Sequence, residues 1–148
     1  SAMTMSPDAG GVFDMLLRLV RYGLGGTNGS GRQYVSWIHE SDFIRAVEWC
    51  IDRELSGAVN VCAPAPLPNA EFMRTLRTAW GTPIGLPATE WMLEIGAIVL
   101  KTETELILKS RRVVPGRLLA DGFPFEFPHW SIAAAELCAR WRAERSNR

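Results

Sequence analysis

Only three short stretches of this chain have the make-up of a β-strand, and helical patterns separate them. Tyr34 to Ile38, Ala58 to Cys62 and Phe123 to Phe127 carry β-branched or aromatic side chains at strand spacing. Pro124 restricts the last of them to an edge, because proline has no amide to donate to a neighbouring strand. Ala63-Pro-Ala-Pro-Leu-Pro68 cannot continue a sheet, since its three prolines remove three donors. A complete doubly wound sheet needs several further strands. The expected fold class is therefore α/β, or α+β-like: a small sheet of short strands with several helices.

The helical segments are read from spacing. Phe13, Leu16, Leu17 and Val20 predict a helix over Val12 to Tyr22. It runs into Gly23-Leu-Gly-Gly-Thr-Asn-Gly-Ser-Gly31, a loop by composition. Ser41 or Asp42 is placed to cap a second helix with Phe43, Ala46, Val47, Cys50 and Ile51 on its apolar face. Asn69 is placed to cap a third, bearing Phe72, Met73, Leu76 and Trp80. Glu90 to Leu100 and Glu103 to Ser110 are further helix candidates. Pro115 suits the first turn of a helix ending at Gly122, and Trp130, Ala134, Leu137, Cys138 and Trp141 line the last one.

At 148 residues the chain fits one domain. Residues 1–10 read as an expression scar and N-terminal tail, 11–145 as the domain and 146–148 as a tail. Sixteen basic residues balance sixteen acidic ones, which argues against a general binder of nucleic acid or anionic membrane. Arg140, Arg142, Arg145 and Arg148 cluster at the end and read as a solvated helix terminus with cations near its negative pole. Cys50, Cys62 and Cys138 show neither disulfide nor metal-ligand spacing and read as buried thiols, which suits the reducing cytoplasm. No secretory signal opens the sequence, and the apolar run Ile95 to Leu100 is too short to span a membrane.

Gly23, Gly26 and Gly29 match G-x-x-G-x-x-G, a dinucleotide-binding spacing. That chemistry needs a strand before the glycines and a helix after them, so that the pyrophosphate meets a helix N-terminus. Here the expected order is reversed, and the glycines read as a turn-forming loop. Tyr22 and Tyr34 are followed four residues later by Gly26 and Ile38, and the only lysines are Lys101 and Lys109, so no Tyr-x-x-x-Lys exists. No residue is assigned to catalysis, cofactor binding or metal binding. Gly-x-Ser-x-Gly is also absent, which disfavours an independent hydrolase.

The block Gly29-Ser-Gly-Arg-Gln-Tyr-Val-Ser-Trp-Ile-His39, the helix start Asp42-Phe-Ile-Arg-Ala46, and the stretches Leu55 to Phe72 and Arg112 to Phe127 occur in one order. Together they resemble the C-terminal half of the NAD(P)-dependent epimerase/dehydratase family. The family is a branch of extended short-chain dehydrogenases, and the closer likeness is to its SulA-like nucleoside-diphosphate-sugar epimerases. One departure stands out. The family commonly has two acidic residues where this chain has Ser41-Asp42, so only Asp42 is carried over.

The resemblance implies the substrate-side wall of a cleft whose other wall is a Rossmann half not contained in this chain. NAD(P) belongs to the full-length family, and no cofactor is expected for this part alone. Arg32 is the best-placed candidate for substrate contact, since a guanidinium grips phosphate or carboxylate through two bonds; its plainer reading is a surface residue. Trp37 reads as core packing or as a stacking platform, His39 as a structural or a titrating histidine, and Asn69 as a cap or a ligand. Arg112, with Arg111, lines the cleft or pairs with Glu103 and Glu105. Three functions are kept: a substrate-side domain without catalysis of its own, a small-molecule binding module with a pocket near Arg32, Trp37 and Arg112, and an interaction domain. An apolar face left without its Rossmann partner implies a homodimer or pairing with a separate Rossmann half.

Overall fold

The computed structural model describes residues 2–87 and 110–147. The helix candidates Glu90 to Leu100 and Glu103 to Ser110 thus lie almost wholly outside the described residues. Nine elements follow in order: β1 (Met3–Met5), α1 (Val12–Arg21), β2 (Tyr34–Val35), β3 (Trp37–His39), α2 (Glu40–Asp52), β4 (Leu67–Pro68), α3 (Asn69–Trp80), α4 (Gly116–Ala120) and α5 (Trp130–Ser146). The mixed α/β class with small sheets is as expected, but the strands are arranged differently.

The single strand expected over Tyr34 to Ile38 divides at Ser36 and serves two sheets. β2 pairs antiparallel with β4, setting Tyr34 opposite Pro68 and Val35 opposite Leu67. β3 pairs parallel with β1, setting Met3 opposite Trp37. Three expectations need correction here. Residues 3–5 are not a tail but a strand, with Met3 and Met5 buried. Pro68 does enter a strand, because at a two-residue edge its missing amide costs nothing. Ala58 to Cys62 and Phe123 to Phe127 form no strand. Val59, Val61 and Phe125 instead pack on Ala46, Leu118 and Phe123 in a minor core, so burial rather than pairing holds them.

The main core joins β1, β2, β3, α1, α3 and α5. Trp130 is its hub. Its ring stacks on Phe72 at 4.3 Å, touches Trp37 at 5.1 Å and Phe13 at 6.4 Å, and its indole donates to the Phe72 carbonyl. Helices α1, α3 and α5 turn the apolar faces expected of them into this core.

α2 departs from its expected packing. Ala46 is buried, but Phe43 (40%), Ile44 (56%), Val47 (39%) and Ile51 (69%) keep much of their surface exposed. Its cap is His39, whose Nδ1 accepts from the Ser41 amide, and not Ser41 or Asp42. Asp42 is fully buried. It accepts from the Glu126 and Phe127 amides and from Arg45, which fastens the irregular 123–127 segment to the helix.

Of the arginines near the end of the chain, Arg148 lies outside the described residues, and the other three make side-chain contacts in addition to their exposure to solvent. Arg140 joins Glu40 and Glu136. Arg142 lies over the Trp80 ring, and Arg145 lies over Trp141 and pairs with Asp14. Burial alone would raise the pKa of Asp14. The Trp141 indole, the Gly10 amide, Arg18 and Arg145 outweigh that and hold it below the ordinary carboxylate value.

Candidate functional site

The region around β2 is assembled from segments distant in sequence. The glycine loop enters it after α1 and before β2, so a helix precedes the glycines and a strand follows them. Gly23, Gly29 and Gly31 adopt positive φ, at 77°, 60° and 74°. At Gly31 an added Cβ would meet Thr27 Cγ2 at 2.2 Å, so both the turn and the space demand glycine. Several hydrogen bonds fasten the loop, among them the following three. The Asn28 amide donates to Asn69 Oδ1 at 2.7 Å, Gln33 Nε2 donates to the Asn28 carbonyl at 2.6 Å, and the Gly26 amide donates to the Leu86 carbonyl at 3.0 Å.

Residues 110–113 run beside β2 on its other side. The Tyr34 amide donates to Ser110 Oγ at 3.0 Å, and the Arg111 amide donates to the Tyr34 carbonyl at 2.9 Å. Ser36 Oγ donates to the Arg111 carbonyl at 2.5 Å and accepts from the Val113 amide at 3.1 Å. This lacing carries Arg112 over the Tyr34 ring at 4.8 Å. Arg112 and Arg32 are both exposed, and Tyr34 is half-buried between the glycine loop and the 110–113 segment. An exposed guanidinium over a phenol ring suits an anionic, ring-bearing ligand.

The remaining candidates lie inside the molecule. Trp37 is fully buried and part of the main core, so it cannot line an open pocket beside Arg32 and Arg112. His39 is buried and stacks on Phe127 at 3.9 Å. With Nδ1 accepting from Ser41, its proton sits on Nε2, 2.6 Å from Glu136 Oε2. Asn69 opens α3 but caps nothing with its side chain; that side chain holds the glycine loop instead. The structure thus brings Arg112 to Tyr34 and keeps His39 and Asn69 in structural bonds.

Sequence reasoning missed one residue here. Asn28 is fully buried, yet neither atom of its carboxamide finds a hydrogen-bond partner among the described residues. Arg111 Nε and Trp37 Nε1 share that condition. Buried polar atoms without partners are rare. Among the described residues all such atoms belong to Asn28, Trp37 and Arg111. No periodicity signals such a feature, because it arises only when the segments meet. Cys62 lies close by, its thiol donating to the Val113 carbonyl, but burial pushes its pKa up to about 11 and leaves no thiolate for chemistry at neutral pH. Among the described residues no group of histidine, cysteine, aspartate or glutamate has metal-binding geometry. No described helix is long and apolar enough to cross a membrane.

Fold and site together define a mixed α/β domain with small sheets. Residues 88–137 match a family described as a domain of unknown function, DUF1731. The chain is 35% identical over 132 residues to bovine epimerase family protein SDR39U1, covering 88% of this chain and 44% of the bovine protein. It is 38% identical over 138 residues to epimerase family protein MT2273 of Mycobacterium tuberculosis, covering 91% of this chain and 44% of that one. The crystal structure of human epimerase family protein SDR39U1 (isoform 2) with NADPH is similar with a TM-score of 0.76 and 29% identity, over 93% of this chain and 46% of the human one. By these matches the chain is similar to a part of the epimerase family proteins. It spans less than half the length of the relatives it matches.

Proposed function

We propose that this chain supplies the substrate-side wall of an NAD(P)-dependent epimerase/dehydratase cleft and that dinucleotide binding falls to a nucleotide-holding half outside these residues. The carrying observation is the likeness, over 93% of the chain, to less than half of a protein crystallised with NADPH. Arg112, exposed over the Tyr34 ring, and Arg32, exposed at the end of the glycine loop, are the groups offered to an anionic substrate such as a nucleoside-diphosphate sugar. The helix–glycine loop–strand order supports the rest of the proposal, because it gives a pyrophosphate no helix N-terminus behind the glycines.

The test is calorimetric titration with NADPH. The purified chain alone is expected to give no saturable heat. Its mixture with the N-terminal part of a full-length relative is expected to give a saturable one. Saturable NADPH binding by the chain alone would overturn the proposal. Arg32→Ala and Arg112→Ala are each expected to weaken binding of a sugar nucleotide to the mixture by about tenfold while leaving NADPH affinity unchanged.

The bare stripe of Phe43, Ile44, Val47 and Ile51 on α2 supports an assembled state. We read it as the face covered by the nucleotide-holding half or, in its absence, by a second copy of the chain.

A further inference from the structure

Away from the glycine loop, five side chains of α1, α3 and α5 form an unbroken stack. Arg145 lies 4.0 Å from the Trp141 ring centre and Arg21 4.7 Å from it. Arg21 also reaches Trp80, at 5.8 Å, and Arg142 lies 4.0 Å from that ring. The two indoles meet edge to face at 5.4 Å. Guanidinium, indole, guanidinium, indole and guanidinium thus follow one another across three helices.

A guanidinium over a ring still has five N–H donors to direct at acceptors in its own plane. Few are used here. Arg142 gives one to the Trp80 carbonyl at 2.6 Å, and Arg145 one to Asp14 at 3.1 Å. Arg21 makes no hydrogen bond or ion pair among the described residues and is exposed. The carboxylate bonded to the stack is Asp14, which is 1% exposed and already serves Trp141, Gly10, Arg18 and Arg145. Glu144 is exposed on α5 and pairs with none of the described residues. Just beyond Trp80, Arg74 and Arg77 line an open depression of about 440 Å³ with Thr78, Gly81, Thr82 and Pro83; Arg74 lies 3.9 Å from exposed Glu71, and Arg77 gives one donor to the Gly25 carbonyl at 2.7 Å. In a chain of no net charge, Arg21, Arg142 and Arg145 thus gather on two neighbouring indoles.

We propose that this face docks an acidic polypeptide segment, whose carboxylates take the unused donors of Arg21, Arg142 and Arg145 and continue toward Arg74. Carboxylates match the fork geometry of these side chains. Single-stranded nucleic acid fits less well, because its binding relies on free aromatic faces and both indoles already carry guanidiniums.

The experiment titrates the full chain with a fluorescent decaglutamate peptide, an oligothymidylate and vesicles of mixed phosphatidylcholine and phosphatidylserine, at low and at high salt. Saturable decaglutamate binding is expected at low salt, weakened about tenfold at high salt as exposed charges are screened. Arg21→Gln is expected to weaken it about threefold and Arg21→Gln with Arg142→Gln about tenfold, with unchanged circular dichroism. Should the double variant fail to fold, the single one decides. The proposal is overturned by absent decaglutamate binding, by equal or tighter binding of the oligonucleotide or vesicles, or by indifference to the Arg21 substitution.

Discussion

Asp14 shows how much one side chain can organise when it is buried among donors. It gathers Trp141, Gly10, Arg18 and Arg145, which ties α1 to the last turns of α5. Asp14→Ala is expected to destabilise the fold by about 3 kcal/mol in urea unfolding, chiefly through the buried indole and amide left unpaired and not through exposed Arg18. Its folded pKa is depressed, so the contribution is present above the unfolded carboxylate value near ~3.9 and is lost as pH falls through the lower folded value. The gap between wild type and variant should accordingly close on acidification below pH ~4. The thiols give the opposite sign. Burial raises Cys62 and Cys138 to about 11, so their contribution is intact below the unfolded value of 9.0 and is lost as pH rises toward 11. In the native protein a thiol reagent at neutral pH is expected to modify half-buried Cys50 first, and the other two only on unfolding. Parallel labelling of all three in the native state would contradict this.

At the scale of elements, two substitutions probe what holds the irregular segments. Trp130→Ala removes the hub shared by Phe13, Trp37 and Phe72 and should cost about 3–5 kcal/mol. Asp42→Ala frees the amides of Glu126 and Phe127. Hydrogen exchange there is expected to quicken while α3 stays protected; uniform loss of protection would show that Asp42 supports the whole core instead. These contrasts also explain what could be read beforehand. Helices α1, α3 and α5 were legible because each buries one continuous stripe, which leaves a period in the sequence. Ala58 to Cys62 misled because alternating valines suit a packed extended segment as well as a paired one, and pairing depends on a partner elsewhere in the chain. Asp42 read as a cap, since nothing local shows that residues 126 and 127 will arrive beside it. Of the candidate site, Arg32 and Arg112 were visible as residue types, whereas the Tyr34–Arg112 contact and the unpartnered Asn28 exist only after long-range closure.

For the molecule as a whole, the exposed stripe on α2 and the arginine–tryptophan face lie on different elements and invite separate measurements. If a second copy covers α2, sedimentation of the isolated chain should give a dimer mass, and Ile51→Glu should return it to a monomer. A wild-type monomer at all concentrations would leave the stripe to the nucleotide-holding half. The main core also imposes an order on synthesis. Asp14 meets Trp141 across 127 positions, and Phe72 meets Trp130 across 58. On a ribosome adding about 5–20 residues per second, α1 must therefore wait on the order of ten seconds for α5 to be made. Throughout that interval Phe13, Leu16, Leu17 and Trp37 have no closing helix, so the nascent chain is expected to expose this apolar surface until α5 has emerged.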